Sequence, residues 1–517
     1  MSEESWALIE QRNELNTKML GTHSTRIRVQ LNEEYKEKDT EVKRHIRADK
    51  RNFINNIAEQ AEEAAYHQNM RTLYALTKKL SNDAKHSIST AIEDKDGKLI
   101  SGKTETTKRW NEHFKEILNR EAPRKPIKDE ETVNPEVEEI STEPPSIEEI
   151  KSAIKLLKNG KSAGIDSITA EMLKVDLDFS ASKVKSLIEK IWNKEQIPKK
   201  WKKGIIIKLP KKGNLKKCKN WRGITLLPIV SKVLGRILIN RIRDGIDHKL
   251  RKEQAGFRAG RGTVEQIFIL RNIIEQTNEW QATLYLNFID YEKAFDSIHR
   301  ESLWKIMRSY GIPEKLTNII KEFYKDFKCS VEDSGETSEW FDVLTGVKQG
   351  CNMSGFLFLL AMDWIMRRTT DENHTGIRWK FTSKLEDLDF ADDIALLSST
   401  KQHMQNKSEK IEEESERVGL KINIDKTKLM RINPKNNDPI IVRGQEIEGV
   451  EKIVYLGATI TPEGGGMGDL KNRIIKARNT FTKLGKIWNS NKITRKTQTR
   501  LYKTLVTPVL LWDVKPG

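Results

Sequence analysis

Cysteine is nearly absent: Cys218, Cys329 and Cys351 are the three in 517 residues, and they lie far apart. An odd, scattered set supports neither a disulfide framework nor a zinc site and fits a reducing compartment. Long apolar runs are missing as well. The longest, Phe356 to Met362, falls far short of the roughly 20 residues a membrane helix needs. The amino terminus, MSEESWALIEQRNEL, carries acids where a secretory signal needs cations. A soluble intracellular protein with no membrane partner is expected. Acids are locally scarce too. Lys199 to Arg222 holds 11 basic residues and no acid in 24 positions, and Leu470 to Trp512 holds 11 and none. With a formal net charge of +17, these stretches point to a polyanionic partner, nucleic acid foremost.

What is present suggests several domains, since a chain of this length makes roughly three by the usual measure. From Glu3 to Leu80 the pattern predicts long charged helices with Phe53, Ile57, Ala61 and Ala64 at helical spacing, an extended or surface-bound region. The Asp96-Gly97 pair predicts a hairpin turn, and Trp110, Phe114, Ile117 and Leu118 mark an amphipathic helix. Residues 121 to 146 hold five of the 14 prolines among Glu and Lys, which reads as a linker. Ser146 and Glu149 then form a capping box ahead of Ile150, Ala153 and Ile154. Strands are expected at 204–209, 283–290, around Asp392 and at 452–460, with helices at 230–242, 303–310, 357–366 and 401–418. This is an α+β pattern with antiparallel hairpins. The expected domains are a charged helical extension over 1–120, the Pro/Glu-rich linker over 121–146, a mixed core over 147–465 and a basic helical segment over 466–517.

The stretch DLDFADDIALLSS sets Asp392 and Asp393 side by side between two short apolar strands. Chance alone gives about eleven adjacent acidic pairs in a chain with this many carboxylates, so the setting matters more than the pair. Half-buried carboxylates need a cation. Asp290 ends the hydrophobic strand TLYLNFID in a similar position. If the two segments are neighbours, three carboxylates converge, a set that holds two Mg²⁺ ions about 3.5–4 Å apart in phosphoryl transfer.

Read in order, NWRGITLLPIVSKVLGRILINRI, EQAGFRAGRGTVEQIF, LNFIDYEKAFDSIHRESLW, TGVKQGCNMSGFLF, FADD, GLKINIDKTKLM and YLGATIT form a set that resembles the reverse transcriptases of non-LTR (LINE-type) retrotransposons, from about residue 85 to the end. The resemblance implies a right-hand polymerase of fingers, palm with antiparallel sheet and helical thumb, acting as an RNA-directed DNA polymerase. It implies catalytic roles for Asp290, Asp392, Asp393 and Lys426, the last protonating departing pyrophosphate. It implies metal ligation by the three aspartates and the Tyr291 carbonyl, with Mg²⁺ as two ions and Mn²⁺ as a substitute. Nucleotide contacts fall on Arg222 with Lys211 or Lys212, on Phe295 beneath the sugar, and on Gln349 and Gly350. Template-primer contacts fall on Phe390, Tyr455, Gly457, Lys471, Arg473 and Lys476. Asp296 matches a motif acid or is the N-cap of the following helix. Trp221 and Phe257 suit stacking platforms or core. The implied partners are an RNA template, a DNA primer or RNA-DNA duplex, deoxynucleoside triphosphates, and a separate or upstream endonuclease. Use of chromosomal primers would make the location nuclear. Asn352 and Gly355 depart from the family's usual Pro, and nothing resembles a nuclease, so the chain reads as an endonuclease-lacking fragment. The rival class is a non-catalytic, transposon-derived nucleic-acid-binding remnant.

Overall fold

The computed structural model describes residues 1–81, 91–129, 139–211, 213–333, 335–370, 375–379 and 384–511. The chain forms two compact units, one of Met1–His86 with Met467–Lys515 and one centred on Ser87–Gly466. Among the described residues no helix is long and apolar enough to cross a membrane.

The second unit is built on a five-stranded sheet in the order Asp387–Phe390, Asp393–Ser398, Leu284–Ile289, Lys428–Ile432, Glu448–Gly449. The first three junctions are antiparallel. All six residues of LYLNFI are buried, because both faces of the sheet are covered. Tyr285 and Ile289 face the core that holds Ile411 and the helix Ser354–Thr370, while Leu284, Leu286 and Phe288 face Leu270, Ile273 and Ile274 of the helix Thr263–Glu279. Asn287 is fully buried and donates its amide to the Ser408 hydroxyl at 2.9 Å, which offsets part of the cost of placing an amide there. A second sheet pairs Lys203–Pro210 with Trp221–Leu226 in antiparallel register and with Lys328–Asp333 in parallel. The predicted strand at 452–460 is instead a hairpin, Ile453–Tyr455 with Ala458–Ile460, because Leu456 and Gly457 both take positive φ.

Two domain boundaries differ from expectation. The hairpin around Gly97 and the helix Lys103–Ile117 belong to the second unit, where Trp110 and Phe114 pack with Ile206 and Trp221. The segment expected as a linker is tied to the core at particular described residues. Ile127 and Ile140 are buried in the main core, and the Thr142 carbonyl accepts from the Trp192 indole at 2.7 Å. Isolated isoleucines among prolines and charges give no periodicity, so composition hid this strap. The capping box at Ser146 and Glu149 is present, opening the helix Ile147–Lys155.

The first unit is helical. Thr25–Tyr66 and Met70–Leu80 pack with residues of Gly466–Lys483 and Arg495–Leu501 in one core containing Ile57, Ala61, Leu73, Ala477, Ile487 and Leu501. The buried stripe runs through Ile54, Ile57, Ala58, Ala61 and Ala65, which turns Phe53 outward. The amino-terminal helices are therefore part of a folded body with the basic carboxy-terminal helices. They are not a free extension.

Candidate active site

The register of the sheet brings the acids together. Phe390 pairs with Asp393 across a two-residue turn, and Ile394 pairs with Ile289, so Asp290 follows its strand out beside Asp393. Asp290 is pinned at both backbone groups, its N–H donating to Thr427 Oγ1 at 3.2 Å and its carbonyl accepting from Asn423 N–H at 2.8 Å. Tyr291 bridges Ile422, but the bridge uses the carbonyls of Asp290 and Lys421, leaving the Tyr291 carbonyl out of it. Its ring is buried and shares a 2.7 Å hydrogen bond with Ser415.

Burial raises the Asp392 carboxyl above its usual range, with Asp290 adding to the effect and Arg222 opposing it. Asp393 keeps some solvent contact, yet desolvation of its carboxyl, then Asp392 and Asp290, push it up to about 6. Among the described residues no three acidic, histidine or cysteine side chains stand close enough to enclose a metal ion. The donor chemistry still fits a hard divalent cation, because mutual repulsion and burial of carboxylates are what such an ion relieves. Lys426 sits beside the trio with Nζ 3.3 Å from Asp290 Oδ2.

A second cluster lies on the loop after Asp290. Asp296 is not an N-cap. His299 caps the following helix, Arg300–Ser309, and Asp296 Oδ1 accepts from Gln349 Nε2 at 2.8 Å. Burial pushes Asp296 up to about 6, against the pull of Lys293, Gln349, Arg120 and Lys211. Lys293 was not singled out from sequence. It takes a left-handed φ of 52°, and burial together with Lys211 lowers its ammonium to about 8. Its place three residues after Asp290 was the available signal. Lys211 is also lowered, by burial and then Arg222. Arg222 is exposed and pairs in register with Leu209. Lys212 lies outside the described residues.

Phe295 stacks on Phe358 with centroids 4.4 Å apart and meets Phe257 edge-on at 6.1 Å. Phe257 is 44% exposed, whereas Trp221 is buried against Trp110 and serves the core. Gly350 was expected to let a nucleotide approach. Its φ of 118° and the Thr225 carbonyl oxygen, which a Cβ would strike, show that it admits a neighbouring strand. The departures at 352 and 355 are integrated. Asn352 donates to the Lys232 carbonyl at 2.8 Å, and Gly355 lies against the Phe257 ring.

Tyr455 was expected at the template-primer, but it is buried, tilted against Phe288, with its hydroxyl donating to the Leu388 carbonyl at 2.9 Å. It ties the 453–460 hairpin to the strand that precedes Asp392. Gly457 is exposed at the hairpin tip and Phe390 is half-buried. Lys471 and Lys476 are exposed on Gly466–Lys483, and Arg473 pairs with Asp469 at 2.8 Å. All three belong to the first unit.

The family model described as reverse transcriptase (RNA-dependent DNA polymerase) matches residues 209–460, which include Asp290, Asp296, Asp392, Asp393, Arg222 and Lys426. The chain is 28% identical over 267 residues to the retrovirus-related Pol polyprotein from type-2 retrotransposable element R2DM of Drosophila melanogaster, covering 50% of this chain and 25% of that protein. It is 23% identical over 383 residues to the RNA-directed DNA polymerase from mobile element jockey of the same organism, covering 71% and 40%. It is 25% identical over 211 residues to the transposon TX1 uncharacterized 149 kDa protein of Xenopus laevis, covering 41% and 16%. The chain thus spans less than half the length of these curated relatives. Among solved structures, apo telomerase from Candida tropicalis truncated from its C-terminal domain aligns with a TM-score of 0.38 and 16% identity, over 60% of this chain and 63% of that one. Residues 209–460 thus carry a segment that matches the reverse transcriptase family, similar to those of non-LTR retrotransposon proteins, and the whole five-stranded sheet lies within it.

Proposed function

We propose that this chain transfers a deoxynucleotide from its triphosphate to a primer 3′-hydroxyl, reading an RNA template. The observation that carries the reading is the convergence of Asp290, Asp392 and Asp393 at one end of adjacent strands. Asp290, Asp392, Asp393 and the Tyr291 carbonyl would hold two divalent cations, whose charge would favour ionisation of the attacking hydroxyl and offset that of the phosphates. Arg222, Lys211 and Lys293 form a cationic arm for the triphosphate, with the guanidinium fork of Arg222 suited to phosphate oxygens. Phe295, braced on Phe358, forms the floor beneath the sugar and excludes a 2′-hydroxyl. Gln349, oriented by Asp296, lies beside that floor. Lys426 is poised next to Asp290 to deliver a proton to the leaving pyrophosphate. Lys471 and Lys476 attract the duplex backbone, so binding weakens with salt. A nick made by a separate or upstream endonuclease provides the 3′-hydroxyl.

Extension of a DNA primer on an RNA template, in Mg²⁺ and separately in Mn²⁺, tests this. The wild type is expected to extend. The Asp392→Asn/Asp393→Asn variant is expected to bind the duplex with the same salt dependence and to extend nothing. Salt-sensitive binding without extension by the wild type would leave a nucleic-acid-binding remnant as the better description.

A further inference from the structure

The turn that presents Asp392 is held from outside its own hairpin. Ala391, directly before Asp392, has a φ of +60°, a conformation in which the Cβ of an L-residue crowds the following carbonyl. Its N–H donates to Oε1 of Gln254 at 3.1 Å, and the same oxygen accepts the Gly256 N–H at 2.8 Å. Both neighbours are donors, so the amide oxygen, not the nitrogen, faces them. Gln254 is 1% exposed, and its Nε2 is buried with no hydrogen-bond partner.

The backbone around Gln254 closes on the hairpin as well. Ala255 N–H donates to the Asp389 carbonyl at 2.9 Å, and a Cβ on Gly256 would collide with the Ala391 nitrogen. The depth of the segment is set three residues earlier. The Arg251 guanidinium, itself buried, reaches Asp389 at 3.0 Å and bonds Asp387, while the Arg251 backbone N–H donates to Asp363 Oδ1 at 2.7 Å. Arg261 steadies the segment from the other side, donating to the Gln254 carbonyl at 3.2 Å.

We propose that Gln254 is a positioning residue for the catalytic hairpin: through Ala391 it fixes the left-handed turn that aims Asp392 and Asp393, without touching metal or substrate. This rests on the polymerase reading above. Carboxylates that must share cations tolerate little displacement, and loss of a supporting group outside the ligand shell typically weakens metal affinity or activity by about 10–100-fold.

The test uses the full chain carrying Gln254→Met, which keeps the side-chain length and removes the acceptor. Three quantities are compared with wild type: Mn²⁺ affinity by electron paramagnetic resonance, primer extension, and amide exchange in peptides 387–398 and 354–370. Mn²⁺ binding and kcat are each expected to fall about 10–100-fold. Exchange should accelerate in 387–398 and stay unchanged in 354–370, a separation that a general loss of stability would not give. Adding Ala391→Gly should restore part of both losses, because glycine takes the left-handed turn without help. If Gln254→Met is insoluble, Gln254→Asn, which draws the oxygen back by about one bond length, 1.5 Å, is read the same way. Wild-type Mn²⁺ affinity and kcat in a folded variant would overturn the proposal. Equal acceleration of exchange in both peptides would also overturn it. A wild type that neither binds Mn²⁺ nor extends a primer would overturn the polymerase reading itself, and this inference with it.

Discussion

Arg251→Met isolates the charge balance beneath the hairpin that carries Asp392 and Asp393. Asp387 and Asp389 are fully buried on alternate residues of one strand, and one guanidinium serves both. Removing one partner of a buried pair costs about 3–5 kcal/mol, because the remaining charge is left without solvent or counter-ion. Here two carboxylates are stranded. Proton uptake by one of them limits the loss, so about 4 kcal/mol is expected near pH 8, a large share of an ordinary domain's stability. The dependence on pH follows from burial, which raises both carboxyls above their unfolded values even with Arg251 present. Without Arg251 they rise further, so the folded state binds more protons than the unfolded one from about pH 4 up to the raised values. Stability therefore falls as pH rises through that window, and the penalty at pH 5 is smaller than at pH 8. Urea unfolding of the full chain, followed by amide exchange in helix 354–370, reads this unit alone. Adding Asp387→Asn and Asp389→Asn should return the protein to within about 2 kcal/mol of wild type. A loss below about 1 kcal/mol at pH 8, the scale of an exposed ion pair, or a loss independent of pH, would refute the account.

Two further outcomes concern other parts of the chain. Glu62 accepts hydrogen bonds from Thr494 N–H at 3.0 Å and from the Thr494 and Thr497 hydroxyls at 2.8 and 3.1 Å. Glu62→Ala should cost the first unit about 1 kcal/mol, the value of a helix cap, and a double-mutant cycle with Thr494→Val should recover most of that as coupling. Phe295→Val removes the ring stacked on Phe358, so ribonucleotide incorporation relative to deoxyribonucleotide should rise by about tenfold or more, measured as a ratio of kcat/KM values.

Much of the palm was legible in the sequence because its signals are local. The strand-turn-strand around Asp392, the acid at the end of LYLNFI and the capping box at Ser146 each depend on residues a few positions apart. Ordered motifs added the family. The packing contacts that the sequence did not reveal share a different cause. Tyr455 and Gly350 sit at positions whose residue type suits a ligand, but their surroundings come from distant segments, the strand before Asp392 and the strand ending at Leu226. Lys293 and Asp296 face each other only once the loop after Asp290 has folded against Gln349.

By itself the sequence determined the local elements, the strong positive charge and the presence of a polymerase domain. Tertiary structure alone decided that Leu284–Ile289 lies between the Asp392 hairpin and Lys428–Ile432, that Gln254 reaches Ala391, and that the first helices share a core with helices more than 400 residues away. The physical reason is that periodicity tells which face of an element avoids water but not what covers it. Which buried amide meets which N–H, and which carboxylates share one guanidinium, is settled by packing among segments that the chain does not place side by side.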